Sequence, residues 1–171
     1  LFGEADALEL MVVSARGAVV SGDGSDESAT LSTGDLVGVD DVITTDHAGA
    51  AALQYGNGAQ LMLAQATTMK VLEANSVGVQ IELDRGEVTA RVRAGAPPLN
   101  ISNRGRTVGA TDADFTVMVG REGGLSAASQ RGSLGLSGFG EIQGVDAGTE
   151  VHTDGQQGAV LSAVSESLLL D

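Results

Sequence analysis

Apolar and polar residues alternate with a period of two along most of this chain, and this alternation constrains its fold more than any other feature. It is clearest in VGVQIELD, residues 77–84, and it resumes in VTARVR, residues 88–93. Successive side chains of a β-strand point to opposite faces, so this period predicts strands with one buried and one solvated face. The intervening DRGE, residues 84–87, is typical of a turn, and a hairpin there would place Glu82 beside Arg91.

Glycine-rich turns separate the alternating segments. In LQYGNGAQLML, residues 53–63, Gly56-Asn57-Gly58 stands between two apolar arms. Glycine and asparagine adopt positive φ with little strain, as tight hairpins require. The same device recurs along a chain that holds 25 glycines. The pattern predicts an all-β fold, either a single-domain antiparallel β-roll or sandwich or a solenoid-like stack of short hairpins.

The length of 171 residues fits one domain. We therefore interpret residues 1–171 as one β domain with its core in residues 12–160. Pro97 and Pro98 are the only prolines, and proline cannot donate to a sheet ladder. A division into two lobes near residues 95–99 is therefore the alternative.

The charge and the composition argue against several classes of function. A formal net charge of -14 and a pI near 4.2 disfavour nucleic acid and anionic membrane surfaces as partners, because both need clustered basic side chains. The arginines between residues 85 and 106 are interleaved with acids, and we interpret them as a solvated strand face with cross-strand pairs. The absence of cysteine excludes disulfides, zinc–thiolate sites and thiol catalysis.

No apolar run in the chain approaches the ~20 residues of a membrane-spanning helix. We therefore expect no membrane span within these residues. The chain begins with Leu1 and not with methionine, and we interpret it as a mature or trimmed protein from which a signal peptide or anchor was removed.

Few residues are candidates for catalysis. His47 and His152 are the only histidines, and each stands in a turn-like stretch. No G-x-S-x-G nucleophile elbow is present, and adjacency of Asp46 to His47 is not the geometry of a triad. We therefore expect a non-enzymatic protein with exposed loop histidines and no cofactor.

The one metal that the sequence suggests is calcium. Calcium takes about six to eight oxygen ligands from a flexible loop. Asp23, Asp26 and Glu27 in GDGSDE are the candidate ligands, although their spacing is shorter than that of an EF-hand loop. The acidic stretch in residues 40–46 is a further group of the same kind, and solvated acidic turns are the alternative for both.

Both ends of the chain, residues 1–14 and 159–170, are apolar. Natural sheets protect exposed edges with lysine, proline or inward charges, and this chain has one lysine. An apolar end strand either covers its own core or adds to a neighbour's sheet. The candidate interaction residues are Leu8, Leu10, Val12, Val13, Val160, Leu161 and Leu168. The spacing in the last segment also permits a short C-terminal helix, whereas its serines permit a strand.

A series of turn and strand motifs extends from residue 12 to about residue 160. The motifs are ARGAVV, LSTGDLVGVDDVITTDHAGAAALQYGNGAQLML, IELDRGEVTARV, VGATDADFTVMV, SQRGSLGL and VDAGTEV. Their order resembles the FecR domain family, an extracytoplasmic all-β module of bacteria. One departure is TDADF, residues 111–115, where the family usually has Gly-Thr before an acidic residue and phenylalanine.

The resemblance implies a location outside the cytoplasmic membrane and a role in protein–protein interaction. Some FecR domains relay a signal from an outer-membrane receptor to a sigma factor, and that form has a cytoplasmic helix bundle and a membrane span, which this sequence does not contain. We therefore favour a structural subunit that self-assembles through terminal or edge strands. The alternative is a monomeric envelope sensor or adaptor in FecR-type signal transduction, whose partner is another envelope protein.

Overall fold

The computed structural model describes residues 7–22, 27–56, 58–153 and 159–163. This part of the chain forms fifteen β-strands and no helix, and so it contains no helix that could cross a bilayer. The prediction of an all-β fold is confirmed. The strands are β1 (Leu10–Ser21), β2 (Ser28–Thr30), β3 (Leu36–Val37), β4 (Val42–Tyr55), β5 (Ala59–Leu63), β6 (Thr68–Asn75), β7 (Gly78–Val92), β8 (Leu99–Asn103), β9 (Arg106–Ala110), β10 (Ala113–Val119), β11 (Leu125–Arg131), β12 (Leu134–Ser137), β13 (Gly144–Val145), β14 (Thr149–Thr153) and β15 (Ala159–Ala163).

The long strand β7 runs without a turn through the stretch for which the sequence predicts a hairpin. The hairpin prediction was wrong, because residues 84–87 form a bulge within one strand, and Asp84 is the extra residue in the ladder with β6. Glu82 consequently faces Lys70 on β6, and Arg91 faces Gln60 on β5. The bulge also shifts the alternation of buried and exposed residues along β7 by one position. The buried residues are Val79, Ile81 and Leu83 before it and Val88, Ala90 and Val92 after it.

Three long strands, β1, β4 and β7, each belong to two half-sheets of one continuous sheet. The first half-sheet has the order β2-β1-β4-β6-β7-β8-β9-β12-β13, and the second has the order β3-β1-β4-β5-β7-β10-β11-β14-β15. All neighbouring strands are antiparallel except β7 and β8. Each long strand is irregular where it passes from one half-sheet to the other, near residues 16–18, 46–49 and 85–87. We call these three irregular stretches together the bend.

Two buried threonines connect the strands at the bend. The Thr45 hydroxyl donates to the carbonyl of Ala64 at 2.7 Å and accepts from the Thr67 amide at 2.9 Å. The Thr67 hydroxyl in turn accepts from the amide of Glu87 at 3.1 Å. Because a buried polar group without a partner costs about 1–3 kcal/mol, these bonds hold β4, the β5–β6 turn and the β7 bulge in one arrangement.

The buried faces of both half-sheets contribute to one hydrophobic cluster, which extends along the chain from Leu10 to Val151. Phe115 and Phe139 are its largest fully buried side chains, and most of the others are small aliphatic residues. The two prolines lie in the loop between β7 and β8, and core residues occur on both sides of that loop. Burial of apolar area in this cluster is the main source of stability.

The structure shows the conformation of the predicted hairpin and of the carboxyl-terminal segment. The predicted hairpin at residues 53–63 is present, with Tyr55 of β4 paired with Ala59 of β5. The carboxyl-terminal segment, which the sequence leaves open between helix and strand, is a strand over Ala159–Ala163 and pairs with β14. Residues 164–170 lie outside the described residues.

We expect Gly86→Ala to lower the free energy of unfolding by about 2–5 kcal/mol. Gly86 has a φ of +100°, and a Cβ there would collide with the Thr67 hydroxyl and lie 2.5 Å from Thr67 Cα. An alanine at positive φ costs about 1–2 kcal/mol, and overpacking costs about 1–3 kcal/mol more. Urea unfolding followed by circular dichroism measures the change.

Gly95→Ala is the matched control for this substitution. Gly95 has a nearly equal φ of +97°, but no atom lies within 4 Å of its added Cβ. Its variant therefore reports the cost of the backbone conformation alone. Equal losses for the two variants would show that close packing between β7 and Thr67 does not stabilise the bend.

Candidate functional site

An open cleft of about 960 Å³ follows the bend. Its walls come from Arg16 of β1, the β4 bulge, the β5–β6 turn, the β7 bulge and the end of β10. These segments are far apart in the sequence, and the folding of the sheet brings them to one place. The cleft is therefore our candidate functional site.

The β4 wall of the cleft is a bulge in which residues 46–49 lie opposite the single residue Gly17 of β1. The Asp46 carboxylate accepts the amide of Ala48 at 2.9 Å, and Arg16 Nε donates to the Ala48 carbonyl at 3.2 Å. A Cβ on Gly17 would lie 2.7 Å from both carboxylate oxygens of Asp46, so glycine leaves the space that this side chain occupies. The bulge is therefore held by specific contacts on both strands.

Three arginines line the cleft: Arg16 from β1, Arg85 from the β7 bulge and Arg121 just after β10. Arg85 Nε donates to the Thr68 hydroxyl at 3.4 Å. Among the described residues, none of the three forms an ion pair with a carboxylate. The three guanidinium groups therefore remain available to a ligand, and Asp46 and Glu87 are the carboxylates that line the same cleft.

The sequence does not predict this cationic set. The arginines between residues 85 and 106 are grouped in the sequence, whereas Arg16 and Arg121 lie far from them. The shared local signal is a glycine beside each arginine at a bulge or turn. That signal is not specific, because Arg131-Gly132 has the same form and lies elsewhere in the sheet.

The remaining side chains of the cleft are mixed in character. Met118 of β10 is 47% exposed and lies beside small alanines of the β4 bulge and the β5–β6 turn. Asp46, Glu87 and the exposed His47 complete its ionisable residues. This combination of guanidinium, carboxylate and apolar surface suits recognition of another polypeptide more than binding of a small uniform ion.

The calcium candidates remain a prediction. Asp23 and Asp26 lie outside the described residues, and Glu27 is exposed. In the second acidic stretch, the Asp41 carboxylate accepts the amide of Gly38 at 2.9 Å, as in an ordinary turn. Within the described ranges, no three acidic or histidine side chains are grouped closely enough to hold a metal ion.

The candidate interaction residues of the amino-terminal segment are mostly part of the protein's own core. Leu10 and Val12 are fully buried, Leu8 packs against the core, and Val13 is 43% exposed. β1 also pairs with β4 along one edge and with β2 and β3 along the other. Leu10 and Val12 are therefore not accessible to a second chain in the folded protein.

The candidate interaction residues at the other end of the chain are accessible. Val160 and Leu161 of β15 are 63% and 47% exposed, and β15 has β14 as its neighbour in the described sheet. Leu168 lies outside the described residues. An edge strand with exposed apolar side chains can accept another strand, but the structure describes no occupant.

A second group of charged residues lies at the ends of β7, β10 and β11, outside the residues that line the cleft. Arg93 pairs with Asp114 at 2.5 Å, and Arg131 pairs with Asp112 at 2.6 Å and with Asp114 at 3.5 Å. Burial alone raises the pKa of Asp114, but the hydrogen bond and charge of Arg93, together with those of Arg131, lower it overall. These side chains neutralise each other across neighbouring strands.

Both histidines are exposed, but they lie on strands and not in the predicted loops. Ser126 Oγ is 2.7 Å from His152 Nδ1, and His152 Nε2 is 3.0 Å from Glu150 Oε1. In a serine protease the nucleophile bonds Nε2 and the acid bonds Nδ1, so the order of contacts here is reversed. Ser126 and His152 face each other directly on β11 and β14, on a regular sheet without an elbow turn.

A family model described as FecR protein matches residues 41–134, which is more than half of the chain. These residues include β4, β7 and β10 and therefore most of the cleft. No curated protein matches this sequence.

Solved structures with a similar fold include two crystal structures of a provisionally assigned anti-sigma factor from Parabacteroides distasonis. Each superposes on this chain with a TM-score of 0.62, at sequence identities of 16% and 17%. The alignment covers 71% of this chain and 59% of the other protein, so this chain spans little more than half the length of that relative. At such low identity the likeness establishes the fold alone.

We expect Asp114→Asn to destabilise the protein at neutral pH and to lose that effect in acid. The folded-state pKa of Asp114 lies below its ordinary value of 3.8. A depressed carboxyl pKa stabilises the folded state above the ordinary value, and this contribution disappears as the pH falls through the folded-state pKa. Urea unfolding of both proteins at a series of pH values measures the difference.

Asp84→Asn is the control for this titration, because Asp84 is exposed and forms no ion pair with a described residue. Its stability should match that of the wild type at every pH. If the loss of stability in Asp114→Asn stayed the same as the pH was lowered, it would come from the shape of the side chain and not from its ion pairs.

We expect His152→Ala to fold and to leave any ester hydrolysis by the purified protein unchanged. The contacts of Ser126, His152 and Glu150 have the reverse order of a catalytic triad, and they lie on a flat strand pair. Turnover of a p-nitrophenyl ester, with Ser126→Ala as the companion variant, tests this. Loss of turnover in both folded variants would contradict it.

Proposed function

Because this chain belongs to the FecR family, we propose that it is a binding module of FecR-type signal transduction, a sensor or adaptor that contacts another envelope protein. The observation that carries this proposal is the family match over residues 41–134. The module would act by changing its contacts with a partner and not by changing a bond in a substrate.

The structural neighbours support the same proposal. They are described as anti-sigma factors, assigned provisionally, and they share this fold over 71% of the present chain. An anti-sigma factor is a regulator that acts through a protein partner. We therefore extend a protein-binding role, without a named partner, to this chain.

We place the domain outside the cytoplasmic membrane as part of this proposal. The support is the resemblance of its motifs to the extracytoplasmic FecR modules, together with the family match. The absence of cysteine is compatible with either side of the membrane and does not contribute to the choice.

The alternative from the sequence analysis, a monomeric sensor or adaptor, is now favoured over a self-assembling structural subunit. The family and the structural neighbours point to regulation. In addition, the apolar residues Leu10 and Val12, which were candidates for contact between subunits, are buried in the protein's own core. The cleft at the bend is the surface that we assign to the partner.

We expect deletion of the gene to change a small, defined set of transcripts in the source bacterium. A regulator that acts on a sigma factor alters the promoters which that factor reads, whereas an architectural subunit alters envelope integrity. RNA sequencing of deleted and complemented cells measures this. Complementation with His152→Ala should restore the wild-type pattern, because that residue lies outside the cleft.

Light scattering of the purified chain at micromolar concentration separates the two functions independently. An adaptor should give one species near 17.1 kDa. Open-ended oligomers, together with unchanged transcripts in the deleted strain, would contradict the proposal and would favour the structural subunit.

A further inference from the structure

We propose that the cleft at the bend binds an acidic peptide segment of the partner, about six residues long when extended. Its carboxylates would pair with Arg16, Arg85 and Arg121. This inference rests on the proposed function, and it adds the chemistry by which the partner is recognised. No part of the described chain occupies the cleft in this way.

Two of the three arginines of the cleft are oriented by uncharged groups and not by a carboxylate. Arg16 Nε donates to a backbone carbonyl, and Arg85 Nε donates to a hydroxyl, so both guanidinium groups are held by uncharged acceptors. The remaining donors of a guanidinium form a planar fork that matches the two oxygens of a carboxylate. The three cationic groups therefore favour carboxylate ligands.

The order of the strands gives the length of the ligand. Arg16 lies on β1 and Arg121 follows β10, and the strands between them across the bend are β4, the β5–β6 pair and β7. Neighbouring strands lie about 4.8 Å apart, so four spacings cover about 19 Å. An extended chain rises about 3.3 Å per residue, and about six residues span this distance.

The other side chains of the cleft favour a peptide over a uniform polyanion. Asp46 and Glu87 lie between the arginines and would repel a ligand with negative charge at every position. Met118, which is 47% exposed, offers a flexible apolar contact. A segment in which acidic and apolar side chains alternate satisfies all of these groups.

Because the protein is acidic overall, binding of an acidic ligand would be evidence for a specific site. At -14 the chain as a whole repels acidic peptides, so non-specific electrostatic attraction cannot produce binding. At physiological ionic strength the screening length is about 8 Å, which weakens this long-range repulsion more than contacts within the cleft. Binding under these conditions would therefore report local recognition.

The experiment uses a fluorescein-labelled hexapeptide of alternating glutamate and leucine and measures its anisotropy with the whole chain. The same peptide with glutamine in place of glutamate is the ligand control. We expect the glutamate peptide to bind at least about tenfold more tightly. We also expect Arg85→Gln and Arg121→Gln each to weaken its binding by about tenfold, since each removes a charge-assisted hydrogen-bond donor.

Arg91→Gln is the matched protein control. Arg91 is exposed on the same strand as Arg85, but it lies outside the cleft. The Arg91→Gln variant should bind the glutamate peptide as the wild type does. Circular dichroism should show that this variant and the two cleft variants are folded. Equal weakening by Arg91→Gln, or equal binding of both peptides, would overturn the inference. Tighter binding of a polyphosphate of matched charge would also overturn it.

The transcript measurement separates this inference from the proposed function. Cells that carry Arg85→Gln and Arg121→Gln together should show the transcript change of the deleted strain. If those cells match the wild type while the deletion changes transcripts, the function stands and the cleft is not the recognition site. If the deletion itself changes no transcripts, the proposed function fails, whatever the peptide does.

Discussion

Hydrogen bonds between Thr45, Thr67 and the backbone of Glu87 connect the parts of the sheet that must change direction together. Three long strands cross the bend, and each carries backbone groups that the regular ladder cannot satisfy there. The threonine hydroxyls bond the Ala64 carbonyl and the amides of Thr67 and Glu87, and Gly86 leaves the space that Thr67 occupies. The apolar faces of the half-sheets on the two sides of the bend share one core.

The same bend also creates the surface that we assign to recognition. Bulges in β4 and β7 change which way the side chains point, relative to the alternation of a regular strand. Arg16 bonds the β4 bulge, Arg85 lies in the β7 bulge, and Arg121 follows the neighbouring β10. Structure and candidate function therefore depend on one local irregularity, and substitutions at the bend should affect both.

Membership of the FecR family alters how the apolar ends of the chain are understood. From the sequence, an apolar first strand in a chain with one lysine favours contacts between subunits, with a monomeric sensor or adaptor as the alternative. In the folded protein that strand covers its own core and has neighbours on both edges. The exposed apolar residues of β15 remain accessible in the described sheet, and the adaptor role is our proposal, which the family match supports.

The sequence alone determined the all-β class, the hairpin at Gly56 and the family. Alternating apolar residues and turn residues are local signals, and they specify strands and hairpins without reference to distant parts of the chain. It did not determine that DRGE is a bulge and not a turn, since both accept a glycine with positive φ. That choice depends on whether β5 and β10 are available to pair with the continued strand, which is a long-range property. The cleft depends on the same long-range pairing. Arg16, Arg85 and Arg121 line one cleft only after the strand pairing and the bend have brought their segments together.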